Sequence, residues 1–93
     1  MDTSTGAAYA FADSVLHNLV QGETVLLDLV NERYFGLDAV GTAIVTRLTQ
    51  QPFEDALRDL ALDYEVDAAV LRHDVHQLLA SLVEAGLLKR LDA

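Results

Sequence analysis

The apolar residues of this chain repeat at two spacings, and the change between them falls at Asp38. A period of two belongs to strands and a period near 3.6 to helices. A short sheet must therefore come first and helices after it. "SVLHNLV" (14–20) reads as a strand with imperfect alternation, and Gln21-Gly22-Glu23 as a turn. "TVLLDLV" (24–30) is a clearer strand: Val25, Leu27 and Leu29 share one face, while Leu26 and Asp28 lie on the other. Asn31-Glu32 reads as a tight reversal because Asn tolerates positive φ. Arg33 to Leu37 then form a third, short strand in an antiparallel meander.

Beyond that point Asp38 can cap a helix that carries Val40, Ile44, Val45 and Leu48 at helical spacing and ends at Gln50-Gln51. Pro52 suits the first turn of a second helix, with Glu54 and Asp55 complementing its dipole and Phe53, Leu57, Leu60 and Ala61 as its apolar stripe. After a turn at Tyr64-Glu65-Val66, Asp67 caps a third helix over 68–85. Its expected seam is Leu71, Val75, Leu78 and Leu82. Gly86 stands where a left-handed C′ residue belongs, so that Leu87 can pack back on Leu82. Residues 87–91 read as an extended tail. The predicted class is α+β, winged helix-turn-helix-like, with an N-terminal three-stranded antiparallel sheet followed by three helices.

Ninety-three residues suffice for a single domain with a modest core. Residues 1–8, "MDTSTGAA", read as a flexible tail, leaving 9–93 as the domain. With no cysteine the chain has no thiolate site or disulfide, which fits a cytoplasmic location. No apolar run approaches the roughly 20 residues of a membrane span. A net charge of -9 argues against nucleic acid and anionic membrane surfaces, whose recognition rests on Lys and Arg.

The stretch "NERYFGLDAVG" (31–41) holds the best candidate site. Its strand carries one charge, Arg33, ahead of a mostly apolar run. An edge so lightly guarded is open to an added strand. Tyr34 and Phe35 must point to opposite faces, one anchoring the sheet and one lining its exterior. Gly36 is expected to let the chain turn sharply. If the Phe35 N–H faces outward, proline there should weaken strand addition more than alanine. On the third helix, Arg72, His76, Leu79 and Val83 lie beside the seam and suit either a groove wall or a broadened core face. Arg72 could instead pair with Asp67 or Glu84. His73 and His76 lack the further ligands a metal site needs, and no catalytic constellation or cofactor motif is present. The acidic residues Asp55, Asp59, Asp63 and Glu65 read as a solvated face.

"GETVLLDLVNERYFGLDAVGTAIVTRL" (22–48) and "YEVDAAVLRHDVHQLLASLVEAGLL" (64–88) resemble the PqqD-like family, the recognition elements of ribosomally made, post-translationally modified peptides. The most specific parts are Val25-Leu26-Leu27-Asp28, Tyr34-Phe35-Gly36-Leu37 and Val40-Gly41, supported by Glu84-Ala85-Gly86-Leu87-Leu88. The resemblance implies a non-catalytic chaperone that binds the leader segment of a precursor peptide and presents its core to a modifying enzyme, a leader peptidase or cyclase or a radical enzyme. The leader would add beside the third strand, with the third helix as the groove's other wall. The implied site is Arg33, Tyr34, Phe35, Gly36 and Leu37 with Arg72, Val75, His76, Leu79 and Val83. Asn31-Glu32 replaces the family's usual Ser-Gly or Thr-Gly, and Val45 replaces a frequent aromatic. The Trp-rich strand of members serving pyrroloquinoline quinone synthesis is absent, which points toward a lasso-peptide or radical-enzyme pathway.

Two other functions fit the outline. A winged-helix DNA-binding regulator is opposed by charge, since only one Arg falls on the third helix's candidate stripe. A self-associating interaction domain would pair the exposed strand with its own copy. A monomer or weak dimer is expected.

Overall fold

A computed structural model describes residues 6–91 of the chain. Its elements run β1 (Tyr9–Phe11), β2 (Val15–Val20), β3 (Glu23–Asp28), β4 (Arg33–Leu37), α1 (Ala39–Leu48), α2 (Phe53–Tyr64), α3 (Ala68–Glu84) and β5 (Leu88–Arg90). The expected meander is present as the antiparallel sheet β2-β3-β4, and the three helices follow it. A second sheet was not foreseen: β1 pairs antiparallel with β5, Tyr9 opposite Arg90 and Phe11 opposite Leu88. The expected tail lies largely outside the described residues. Ala8 is held by the structure, donating its N–H to the Gln51 carbonyl and accepting from the Leu91 N–H.

Local chemistry explains the element ends. Gln21 and Gly22 both take positive φ (54° and 83°), the two-residue hairpin turn that matches the twist of the strands it joins. The β3–β4 loop spans Leu29 to Glu32, and there the positive φ belongs to Glu32, not to Asn31 as expected. Asn31 is otherwise engaged: its side chain donates to Asp28 Oδ2 (2.9 Å). Asp38 caps α1 through the Gly41 N–H (2.8 Å), and Asp67 caps α3 through the amides of Ala69 and Val70. Pro52 sits at the cap position of α2, one residue outside the expected first turn. Gly86 ends α3 in left-handed conformation. Its N–H meets the Val83 carbonyl while that of Leu87 meets Leu82, the doubly bonded C-terminal motif expected there.

One core joins the parts: Val15, Leu26 and Leu37 from the sheet, Ile44, Val45 and Leu48 from α1, Leu57 and Leu60 from α2, and Leu71, Val75, Leu79 and Leu82 from α3, closed by Leu87 and Leu88. Two expectations shift. Val40 is exposed. The α3 seam runs through Leu79 rather than Leu78, on the flank where β5 packs against the helix and Tyr9 of β1 joins the core.

Candidate functional site

The edge of β4 is the only part of the expected site whose geometry follows directly from backbone pairing. No described strand lies beyond β4. Which of its amides are free follows from β3. Leu29 donates its N–H to the Ser14 carbonyl on the β2 side (3.0 Å). Backbone direction alternates along an antiparallel strand, so Glu23, Val25 and Leu27 also turn to β2, and Thr24, Leu26 and Asp28 turn to β4. The partners of those three are Leu37, Phe35 and Arg33. The amides of Arg33, Phe35 and Leu37 are therefore directed at β3. Tyr34 and Gly36 direct N–H and C=O outward. The expectation that the Phe35 amide faces out is corrected by this register.

The Thr24 end of the ladder is closed by a side chain. Thr42 Oγ1 accepts the Thr24 N–H (2.9 Å) and donates to the Leu37 carbonyl (3.3 Å), tying the end of β4 to the first turn of α1. At the other end Asp28 is buried and organises the turn. Its Oδ1 accepts from the amides of Val30 and Asn31, and Arg33 stands 3.6 Å from its Oδ2. The hydrogen bonds from Asn31, ahead of those from Val30 and the charge of Arg33, hold the Asp28 carboxyl below the usual carboxylate range. A buried carboxylate is tolerable here because its oxygens are met by donors.

The two rings divide as alternation requires. Phe35 turns inward beside the core, with the Arg33 guanidinium 5.3 Å from its ring centroid. Tyr34 turns outward and is 76% exposed. Gly36 does not produce a sharp turn. It lies in regular strand, and a Cβ added there would meet nothing within 4 Å. Its contribution is an unobstructed edge.

The α3 half of the expected site is arranged differently. Val75 and Leu79 are core residues at 0% and 2% exposure, and Leu79 offers only its edge to the floor of a surface depression. Arg72 is clamped by Glu54 of α2 through two hydrogen bonds (3.0 and 2.8 Å), not by Asp67 or Glu84. That contact lowers the Glu54 pKa and raises that of Arg72. His76 packs against Phe53, ring centroids 5.1 Å apart. His76 and Val83 border a surface depression with Tyr9 and Arg90, on the flank covered by β1 and β5. The structure thus brings β4's five residues together, and separately groups His76 and Val83 with residues of the small sheet. Tyr9 and Arg90 were missed because β1 has only three residues and no pattern of its own.

Residues 23–88 match the family model described as coenzyme PQQ synthesis protein D (PqqD), more than half of the chain. The chain belongs to the PqqD family. Two solved structures are similar to this PqqD-family chain. One is TbiB1 in complex with the TbiA(beta) leader peptide: 31% identity, 89% of this chain and 98% of that one covered, TM-score 0.81. The other is a lasso peptide synthetase B1 complexed with the leader peptide: 26% identity, coverage 89% and 99%, TM-score 0.82. No curated protein matches. The PqqD match begins at Glu23, the first residue of β3, and ends at Leu88, so it contains the whole of β4, its turn and all three helices.

Proposed function

We propose that this chain captures the leader segment of a ribosomally made precursor peptide as an added strand on β4, and holds the rest of the precursor for a separate modifying enzyme. It works without chemistry of its own, in the cytoplasm, by raising the local concentration of peptide at that enzyme. The observation that carries the reading is the free edge of β4, in a chain that resembles two leader-peptide complexes along nearly all of their length. Tyr34 and Gly36 supply the backbone groups that pair with the guest. Phe35 and Leu37 keep the strand seated on the core, and Arg33 is held between Asp28 and the Phe35 ring. The pathway favoured is lasso-peptide biosynthesis.

The DNA-binding alternative gains nothing from the fold. Five of the six Lys and Arg residues already face Asp or Glu partners, among them Arg72 on α3. Titrating isotope-labelled protein with a synthetic leader peptide tests the proposal. Amide shifts should concentrate in 33–37, and the same spectra read 72–83 for a contribution from α3. Saturating peptide with no perturbation along β4 would remove the strand-addition mechanism even if binding occurred.

A further inference from the structure

We propose that the outward face of the β2-β3-β4 sheet is a second docking surface, one that takes a protein partner whose own apolar patch is flanked by Lys or Arg. It rests on the proposed function in one respect: the partner is taken to be the modifying enzyme. The register places Leu16, Leu27 and Tyr34 in one cross-strand row, and Asn18, Val25 and Gly36 in the next. All lie on the side opposite the buried Leu26. Leu16, Val20, Val25, Leu27 and Leu29 are between 37% and 54% exposed. Together with Tyr34 they line one face of the sheet as neighbouring apolar side chains, and a contiguous exposed apolar patch of more than about a few hundred Å² marks an interaction site. This face is not the edge used by the guest. A strand added to β4 lies in the plane of the sheet and leaves the face above it uncovered.

Charge chooses the occupant. Glu23 closes the strip at the β2–β3 hairpin and Glu32 at the β3–β4 turn, and neither has an ion-pair partner among the described residues. Arg33, beside Glu32, is turned to the inner face by Asp28. The strip therefore presents apolar side chains with a free carboxylate at each end. A second copy would set like charges against one another and bring together two chains of net charge -9. An anionic membrane is repelled for the same reason. A protein with basic residues around an apolar patch satisfies both features.

The test uses the full chain, a fluorescent synthetic leader peptide and a purified leader peptidase of a lasso-peptide pathway. Leu27→Lys should weaken enzyme binding about tenfold or more, as loss of a central apolar anchor does, and leave leader affinity unchanged. Charge reversal in Glu23→Lys/Glu32→Lys alters only exposed side chains and keeps the test valid should Leu27→Lys fail to fold. It should weaken enzyme binding several-fold at low salt and progressively less as salt rises. The docking surface is overturned if both variants bind the enzyme like the wild type, or if the wild type binds leader but no enzyme. A wild-type dimer dissolved by Leu27→Lys overturns it in favour of a second copy. Should the wild type fail to bind leader, the proposed function falls, while the enzyme-binding arm still decides the docking surface alone.

Discussion

Proline at Tyr34 and proline at Phe35 stand one residue apart and should have opposite consequences. The Phe35 N–H is directed at β3 opposite Leu26, which is fully buried. Phe35→Pro removes that donor and leaves a carbonyl in the interior without it, a loss of about 1–3 kcal/mol. For a domain of this size, about 2 kcal/mol lowers Tm by roughly 10 °C. The Tyr34 N–H points off the edge and its ring is mostly in solvent, so Tyr34→Pro should change stability by less than about 1 kcal/mol, as edge-strand proline with an outward amide is tolerated. Leader binding should respond the other way. Tyr34→Pro deletes one donor to the guest strand, worth about 1 kcal/mol, and puts a ring where the guest carbonyl would lie. Together these should weaken leader affinity about tenfold or more. Tyr34→Ala keeps the N–H and controls for the ring. Circular dichroism melts and fluorescence anisotropy with a labelled leader peptide give the two readouts. If Tyr34→Pro binds leader like Tyr34→Ala, that amide is not used by the guest. If it melts as low as Phe35→Pro, the deduced register of β4 is wrong.

Three further outcomes follow from the same edge. Asp28 has a folded pKa held below its ordinary 3.8, so its contribution to stability is complete above that value and is lost as pH falls through the folded pKa. Urea titrations in this acid range should show a smaller pH dependence for Asp28→Asn than for the wild type. Thr42→Val leaves the Thr24 N–H without its acceptor and should cost about 1–3 kcal/mol in urea unfolding, with faster amide exchange at the Leu37 end of β4. Gly36→Ala enters open space in regular strand and should stabilise by about 0.5–1 kcal/mol through the unfolded chain, with the outward amide retained and leader affinity little changed.

What could be foreseen from sequence was local. Asp38, Asp67 and Gly86 mark helix ends because each acts on amides or carbonyls within a few residues of itself. The β3–β4 turn was placed correctly but for an incomplete reason: the sequence named Asn31 as the positive-φ residue, while the buried Asp28 takes up the Asn31 side chain and leaves that conformation to Glu32. Alternation separated the two faces of β3 but not which one is buried. Val25, Leu27 and Leu29 form the richer apolar set, yet Leu26 is the core residue and the others face solvent. That choice depends on the face against which α1 packs, which no single strand encodes. β1 was invisible because its pairing partner, β5, lies at the other end of the chain. The α3 candidates followed from it: without β5 and its partner on that flank, Leu79 could be read as groove wall or as core, and the structure buries it.

An open edge and an apolar sheet face are both hazards for a small protein, and this chain carries them with an unusual guard. β2 is the other edge of the same sheet, six residues without a charge or proline among them. The strand-level defences of edge strands are missing there. What remains is long-range: fifteen acidic against six basic residues, with five of the six basic ones paired internally, leave a surplus of carboxylates that repels every other copy. Such a defence fails when screened. At about 1 M salt the Debye length shrinks to roughly 3 Å, and sedimentation velocity should then show self-association that is absent at low salt. Leu19→Lys on the β2 edge should suppress it, since one charge on the ribbon restores a local guard. A chain that stays monomeric in high salt without that substitution would show that net charge is not what keeps the copies apart.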